Sequence, residues 1–382
     1  MSSRQSKQPP NIRVSKTDNL RVAIVQDWIY GGGAELVVEQ LHKMFPDSPI
    51  YTSYCTDEWR KRLDNKVVTG ILQRWPFNKL RKYIPFLRIW WFSGLDLKGY
   101  DLIISVSGNG EAKGVKVPAG TKHIWYCHAP THFYWRHYKD YLREPGFGFF
   151  NPVARLGLKL LVRPLRKWDY KASQYAHAVI ANSSHTQAEV KKFYSRDSAV
   201  VHPPVYIERF MHTMSPAKRH GFVIAGRQTP YKRFDIAVLA CTELELPLTV
   251  IGAGPEHEKL KQIAGPTVKF LGRAPDKVVE EELARAQAFL FPAYEDFGIA
   301  PVEAMAAGTP VIAYKAGGAL DYVVEGKTGM FFEEQRVESL VSALQSFNPK
   351  DYSADDIKAA AQEFSIENFH KNLHDKLKTA LQ

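Results

Sequence analysis

The sequence predicts an α/β protein built of two Rossmann-like domains that face each other across a cleft. Three observations predict it. The chain has 382 residues, too long for one ordinary domain and comfortable for two. Short apolar runs recur along it, each followed by a turn or a helical stretch, as in a parallel sheet with crossover helices. The pattern breaks once, at His202-Pro203-Pro204, and then begins again.

Residues 1–19 are polar, carry Pro9 and Pro10, and lack the apolar core of a signal peptide. They are expected to form a flexible tail. The first domain is expected over 20–201. It opens with a strand at 21–26 (RVAIVQ), a loop at 27–33 and a helix at about 34–44. Further strands are read at 102–105, 123–127 and 178–181. Consecutive prolines remove backbone donors and favour an extended path, so 202–220 reads as a linker. The second domain, 221–364, repeats the alternation. Its strands are read at 222–225, 248–251, 268–271, 288–291 and 311–313, with helices at 234–241 and about 300–307. The latter is stopped by Gly308 and Pro310. Residues 365–382 read as a helix that packs back on the first domain. In such sheets ligands bind beyond the carboxyl ends of the strands.

Composition narrows the function. Hydrophobic residues make up 45% and charged residues 24%, the balance of a globular chain. The net charge of +11 is uneven: residues 1–200 carry 31 Lys and Arg against 16 Asp and Glu, and the remainder 20 against 24. The basic half seeks an anionic partner: a membrane surface, a phosphorylated substrate or nucleic acid. Cys55, Cys127 and Cys241 are far apart and show no CxxC spacing. That argues against a disulfide framework or a zinc site and fits a reducing compartment. No apolar stretch approaches the length of a membrane span, so any membrane contact is expected to be peripheral.

The most informative segment is FPAYEDFGIAPVEAMAAGTPVIAYKAGG, residues 291–318. A strand ends at Phe291, and a loop carries Glu295, Asp296, Phe297 and Gly298. A helix follows, with Glu303 about one turn inside it. Both glutamates can face one ligand at the helix N-terminus, where backbone amides favour anionic groups. Paired glutamates at this spacing are by default solvated. Glu303, however, lies among Pro301, Val302, Ala304, Met305 and Ala306, and a carboxylate there needs a hydrogen-bond partner. Sugar and ribose hydroxyls are suitable donors.

With these surroundings, Glu295-x7-Glu303 resembles the signature of glycosyltransferase family four, the retaining GT-B enzymes. The resemblance implies that Glu295 contacts donor-sugar hydroxyls and Glu303 the nucleotide ribose. It also implies that Phe297, Gly298 and Ile299 bring backbone amides to the sugar and diphosphate. The strand end at GRQTPYKR supplies Arg227 and Lys232. An Arg fork and a Lys point charge suit a departing diphosphate, and the family carries both at this strand end. Gly252-Ala253-Gly254-Pro255 resembles the family's turn near the nucleotide. Gly272 and Arg273, after Leu271, stand where the resemblance implies the base. No Asp-x-Asp metal pair occurs in the expected place, so no metal and no further cofactor are expected.

In the first domain, Gly31, Gly32 and Gly33 lie between a strand and a helix and let backbone approach a ligand. The spacing is not GxGxxG, which argues against a dinucleotide cofactor. The resemblance implies that Gly32 and Gly33 touch the donor or acceptor. His128 ends the strand at 123–127. His132 and His137 are nearby, and not all three are catalytic; the resemblance selects His128, for positioning the sugar. Two further segments are basic and apolar: RWPFNKLRKYIPFLRIWWF at 74–92, and 155–171 with Arg155, Lys159, Arg163, Arg166, Lys167 and Lys171 among leucines. Such surfaces dock to anionic lipid headgroups, though similar ones bind single-stranded nucleic acid or are helices with snorkelling cations.

The expectation is a retaining hexosyltransferase, peripheral at the cytoplasmic face of a membrane, with a lipid-linked or polysaccharide acceptor and no nucleic-acid partner. The wider string over 294–332 most resembles bacterial polysaccharide mannosyltransferases, which implies GDP-mannose. A UDP-sugar donor, a silent nucleotide-sugar binder, a sugar-nucleotide epimerase and a nucleic-acid-binding protein stay open at this point.

Overall fold

The computed structural model describes residues 20–80, 84–108, 110–136, 138–143, 148, 151–213 and 219–382. The terminal segment 1–19 and His137 lie outside them. The first sheet has seven strands: β1 (Val22–Gln26), β2 (Ile50–Thr52), β3 (Val67–Val68), β4 (Leu102–Ser107), β5 (Lys122–Cys127), β6 (Ala178–Ala181) and β7 (Ala199–Val200). The second has six: β8 (Phe222–Ala225), β9 (Leu248–Ile251), β10 (Val268–Gly272), β11 (Ala288–Phe291), β12 (Val311–Tyr314) and β13 (Gly329–Phe332).

The spatial orders are β3-β2-β1-β4-β5-β6-β7 and β10-β9-β8-β11-β12-β13, and the pairings are parallel. Every residue of β1, β4 and β11 is buried. That is why these strands read as continuous apolar runs rather than alternating ones: helices cover both faces of a parallel sheet. In each sheet the strand order reverses at one point, between β1 and β4 and between β8 and β11. The crevice at such a reversal is where ligands enter doubly wound sheets. Both segments singled out in the second domain, 226–232 and 292–298, leave the two strands that flank its reversal.

The C-terminal helix Ile366–Leu381 belongs to the first sheet's core. Ser365 caps it, its hydroxyl accepting from the Asn368 amide at 3.2 Å. Phe369, Leu373 and Leu377, spaced four apart on one helix face, are each 1–2% exposed and pack with Val22, Ile24 and Tyr126. The stretch between the sheets is not simply extended. It contains a short helix, Glu208–Met211, and the Val205 amide donates to the Phe364 carbonyl. Two chain crossings therefore lie side by side.

One sequence expectation is corrected. Arg88 is not a surface cation of the 74–92 segment. It is 1% exposed and grips the equally buried Glu111 through two bonds, of 2.6 and 2.9 Å. Lys113, two residues on, is buried against Asp169 at 2.6 Å. These pairs tie the turn Ala112–Gly114 to the helices Pro85–Ser93 and Asn151–Ser173. Arg81 and Lys82 lie outside the described residues.

Candidate functional site: the interdomain cleft

The loop after β8 and the loop after β11 meet in an ion pair. Lys232 Nζ lies 2.8 Å from Glu295 Oε1, with the side chains 20% and 16% exposed. Burial works against the Lys232 charge, but Glu295 outweighs it and holds the ammonium above its ordinary value. Arg227, two residues past the end of β8, is exposed. The Glu295 loop is braced from behind. The Gly318 amide donates to the Glu295 carbonyl at 2.9 Å, and the Tyr322 hydroxyl donates to the Phe297 carbonyl at 3.0 Å. A Cβ on Gly318 would fall 2.3 Å from Phe297 Cα, a clash with backbone that no rotamer relieves. Gly318 and Tyr322 lie within the string over 294–332, but nothing local in the sequence says which loop they support.

Phe297 is buried, and Gly298, at φ +93°, precedes the helix Ile299–Ala306. Glu303 is half-buried, as are Ile299 and Ala300 one turn before it, and the rest of that helix is buried. Burial pushes its carboxyl up to about 7, against a smaller pull from Arg209. Among the described residues, no hydrogen bond or ion pair holds that carboxyl. A group ready to accept from hydroxyls is the result. The ends of β9 and β10 complete this wall. The Gly252 amide donates to the Gly272 carbonyl at 2.7 Å, and Arg273 beside it is exposed. Gln228, fully buried, donates to the Gly252 carbonyl and interlocks the β8 and β9 loops.

The first domain supplies the opposite wall. Glu35, in the first turn of the helix Gly33–Met44, accepts from the amides of Tyr30 and Gly31 at 3.1 and 3.2 Å. Those two amides therefore serve the loop itself, and the open edge is at Gly32 and Gly33. Gly33 lies against the second domain, where an added Cβ would come within 2.5 Å of Ile299 Cδ1. His128 follows β5 and stacks edge-on with Tyr126. Burial pushes its imidazole down to about 4, so the ring is neutral near pH 7, and Nε2 is buried without a hydrogen-bond partner among the described residues. Such a ring can donate or accept one bond to a ligand but carries no charge.

The two walls touch at several points. The Ser184 amide donates to Asp321 Oδ2 at 2.8 Å, His202 stacks on Phe297 at 5.6 Å, and His132 and Arg136 reach Asp296. His185, Glu189 and Asp296 bring potential metal-ligating atoms within 4.8 Å of one another. The Arg136 guanidinium contacts all three residues and supplies the positive charge there.

Comparison with known proteins fits this geometry. The family profile "Glycosyltransferase Family 4" matches residues 31–209, and "Glycosyl transferases group 1" matches 209–364. The junction falls where the first sheet gives way to the second. The chain belongs to the family-four glycosyltransferases. Its two parallel sheets are the GT-B architecture. A crystal structure of Anabaena HepE in complex with UDP shares that fold, with a TM-score of 0.67 at 19% identity, over 94% of this chain and all of its own. So does WaaG, a glycosyltransferase involved in lipopolysaccharide biosynthesis, with a TM-score of 0.60 at 16% identity, over 93% of this chain and 98% of WaaG.

Among sequence relatives, a GDP-mannose-dependent alpha-mannosyltransferase of Mycolicibacterium smegmatis is 33% identical over 37% of this chain and 38% of its own length. A D-inositol 3-phosphate glycosyltransferase of Nocardioides is 30% identical over 49% of each. The Dictyostelium discoideum alpha-1,3/1,6-mannosyltransferase ALG2 is 24% identical over 94% of this chain and 98% of its own length. The chain thus spans about half the length of several relatives it matches, with ALG2 matched nearly end to end.

Proposed function

We propose that this chain moves a hexose from a nucleoside diphosphate sugar to an acceptor hydroxyl on a lipid-linked or polysaccharide glycan, with retention of configuration, and that the donor is GDP-mannose. The observation that carries the reading is the Lys232–Glu295 pair at the reversal point of the second sheet, with the carboxyl of Glu303, unbonded among the described residues, in the helix that follows. The mannosyltransferase names of the M. smegmatis and Dictyostelium relatives support mannose. A UDP-sugar donor is the second reading, supported by the UDP complexes of HepE.

In this reading Arg227 and Lys232 neutralise the diphosphate, whose departure builds negative charge. Donor binding draws Lys232 towards phosphate and leaves Glu295 to accept from sugar hydroxyls. Glu303 accepts from the ribose, the backbone at Phe297, Gly298 and Ile299 borders the sugar and diphosphate, and Gly272 and Arg273 border the base. Gly32 and Gly33 close on the donor from the first domain, and neutral His128 positions the sugar. The acceptor oxygen bonds to the anomeric carbon on the face from which the diphosphate oxygen leaves. The departing oxygen takes the acceptor's proton, so the protein supplies neither nucleophile nor metal.

A lipid-linked acceptor calls for a membrane surface, at the cytoplasmic face where nucleotide sugars occur. Among the described residues no helix is long and apolar enough to cross a membrane. The helix Asn151–Ser173 instead exposes Val153, Leu156 and Leu160 at 58–69%, with Lys159, Arg163 and Lys167 exposed beside them. Trp90, on the helix Pro85–Ser93, is 61% exposed and Trp75 is 76% exposed. A basic, apolar face of this kind fits anionic lipid. Transfer of radiolabelled mannose from its GDP ester into organic-extractable membrane lipid tests the reading. Incorporation from a UDP-sugar instead would move it to the second donor.

A further inference from the structure

Asp296 adjoins Glu295 in the chain, yet its side chain turns the other way, into the first domain. Arg136 Nη2 reaches Asp296 Oδ1 at 2.6 Å, and His132 Nε2 reaches Oδ2 at 3.1 Å. Arg136 is held from its own side as well. Its Nε donates to Glu189 Oε1 at 2.6 Å and Nη2 lies 2.6 Å from His185 Nε2, while across the cleft the guanidinium sits 4.9 Å from the Tyr294 ring centroid. Burial by itself would push the Asp296 carboxyl up. His132 and Arg136 outweigh it and hold the group well below the usual carboxylate range.

This is not an ordinary surface pair. Exposed ion pairs contribute little because water screens them. Here Arg136 is 11% exposed and Asp296 18%, and both make further bonds. Removing one partner would leave the other charge buried and uncompensated, which is costly. The contact also has a particular address. It joins a segment 160 residues away to the residue next to Glu295, and the peptide group between 295 and 296 is planar and stiff. A shift of Asp296 therefore shifts Glu295.

We propose that Arg136 and His132 are positioning residues that act through Asp296: when the domains close, this charged clasp fixes the loop 294–298 and so places Glu295 against the donor sugar. The role goes beyond binding the nucleotide, because both side chains act on Asp296, which carries no ribose or diphosphate role. Its effect on rate rests on the transferase reading. Its effect on the loop does not.

The test uses Asp296→Asn, Arg136→Gln, His132→Gln and the Asp296→Asn/Arg136→Gln double variant in the full chain. Turnover should fall by on the order of 10- to 100-fold in Asp296→Asn and Arg136→Gln, the scale of a misplaced reacting group. GDP affinity, with UDP measured in parallel, should stay within about twofold. The double variant should be no slower than the slower single variant, since both break one contact. Arg136→Lys should recover part of the rate. Without substrate, amide hydrogen exchange across 293–298 should speed up in each single variant. His132→Gln, the mildest change, keeps that arm readable if Asp296→Asn folds poorly. Unchanged exchange in the 293–298 amides would overturn the clasp even if no transfer is ever seen. Unchanged turnover, multiplicative losses in the double variant, or a loss confined to nucleotide affinity would overturn its role in catalysis.

Discussion

Lys232 Nζ and Glu295 Oε1 lie 2.8 Å apart at the ends of strands that flank the reversal of the second sheet. The two strand-end loops therefore bring a cation and an anion together at one point of the cleft. A nucleoside diphosphate sugar offers phosphate to one and hydroxyls to the other.

That pairing makes the two residues separable by experiment. Glu295→Ala should lower turnover by on the order of 100-fold or more, as loss of a group aimed at the reacting sugar does, with the thermal transition near that of the wild type. Lys232→Ala should weaken GDP binding, because it removes the charge facing phosphate and leaves Glu295 unpaired beside it. Calorimetric titration of both variants checks the split. Equal nucleotide affinity in Lys232→Ala would remove that residue from the diphosphate site.

Glu303 predicts a pH dependence of stability. An ordinary glutamate titrates near 4.5, and this one is pushed up to about 7 by burial. The folded chain holds that proton more tightly than the unfolded chain does. Its contribution to stability is present below about pH 4.5 and is lost as pH rises through about 7. Glu303→Gln removes the cost of ionisation. The variant should match the wild type near pH 4.5 and exceed it above pH 7 in chemical denaturation. GDP should lessen the difference, because ribose hydroxyls stabilise the ionised carboxyl.

The exposed stripe of the helix Asn151–Ser173 predicts vesicle binding. Leu156→Asp with Leu160→Asp should abolish flotation with vesicles containing phosphatidylglycerol, while GDP affinity stays as in the wild type. Lys159→Glu with Arg163→Glu should weaken flotation most at low salt, where charge attraction is least screened. Retention by neutral phosphatidylcholine vesicles alone would contradict the charged docking face.

Phe369 ties the C-terminal helix to the first sheet, 2% exposed and 6.3 Å from the Tyr126 ring. Phe369→Ala should cost about 3–5 kcal/mol, the usual range for an emptied aromatic site. A fall in the urea midpoint, with the slope unchanged, is the signature to look for.

Much of this was legible in the sequence, for a physical reason. Parallel strands buried on both faces are continuous apolar runs, and ligand loops stand at their ends, so β1, β4, β8 and β11 and the segments 226–232 and 292–303 announce themselves. β3 and β7, two residues each, and β2, three, are too short to show a period. Their pairing is decided by neighbours. Arg88 misled because a cation among aromatics reads as a snorkelling surface residue. Only Glu111, 23 positions away, tells otherwise. The clasp on Asp296 left no trace at all. Arg136 and Asp296 meet through the docking of two domains, and no local pattern encodes a contact made that way.

The most direct measurement is a thermal-shift and calorimetric panel with GDP, UDP, ADP, GDP-mannose and common UDP-sugars, on the wild type and Lys232→Ala. A ligand that binds only the folded form raises its apparent stability. GDP and GDP-mannose should stabilise the wild type, with a much smaller effect in the variant. No stabilisation by any nucleotide, or equal stabilisation in both proteins, would contradict it.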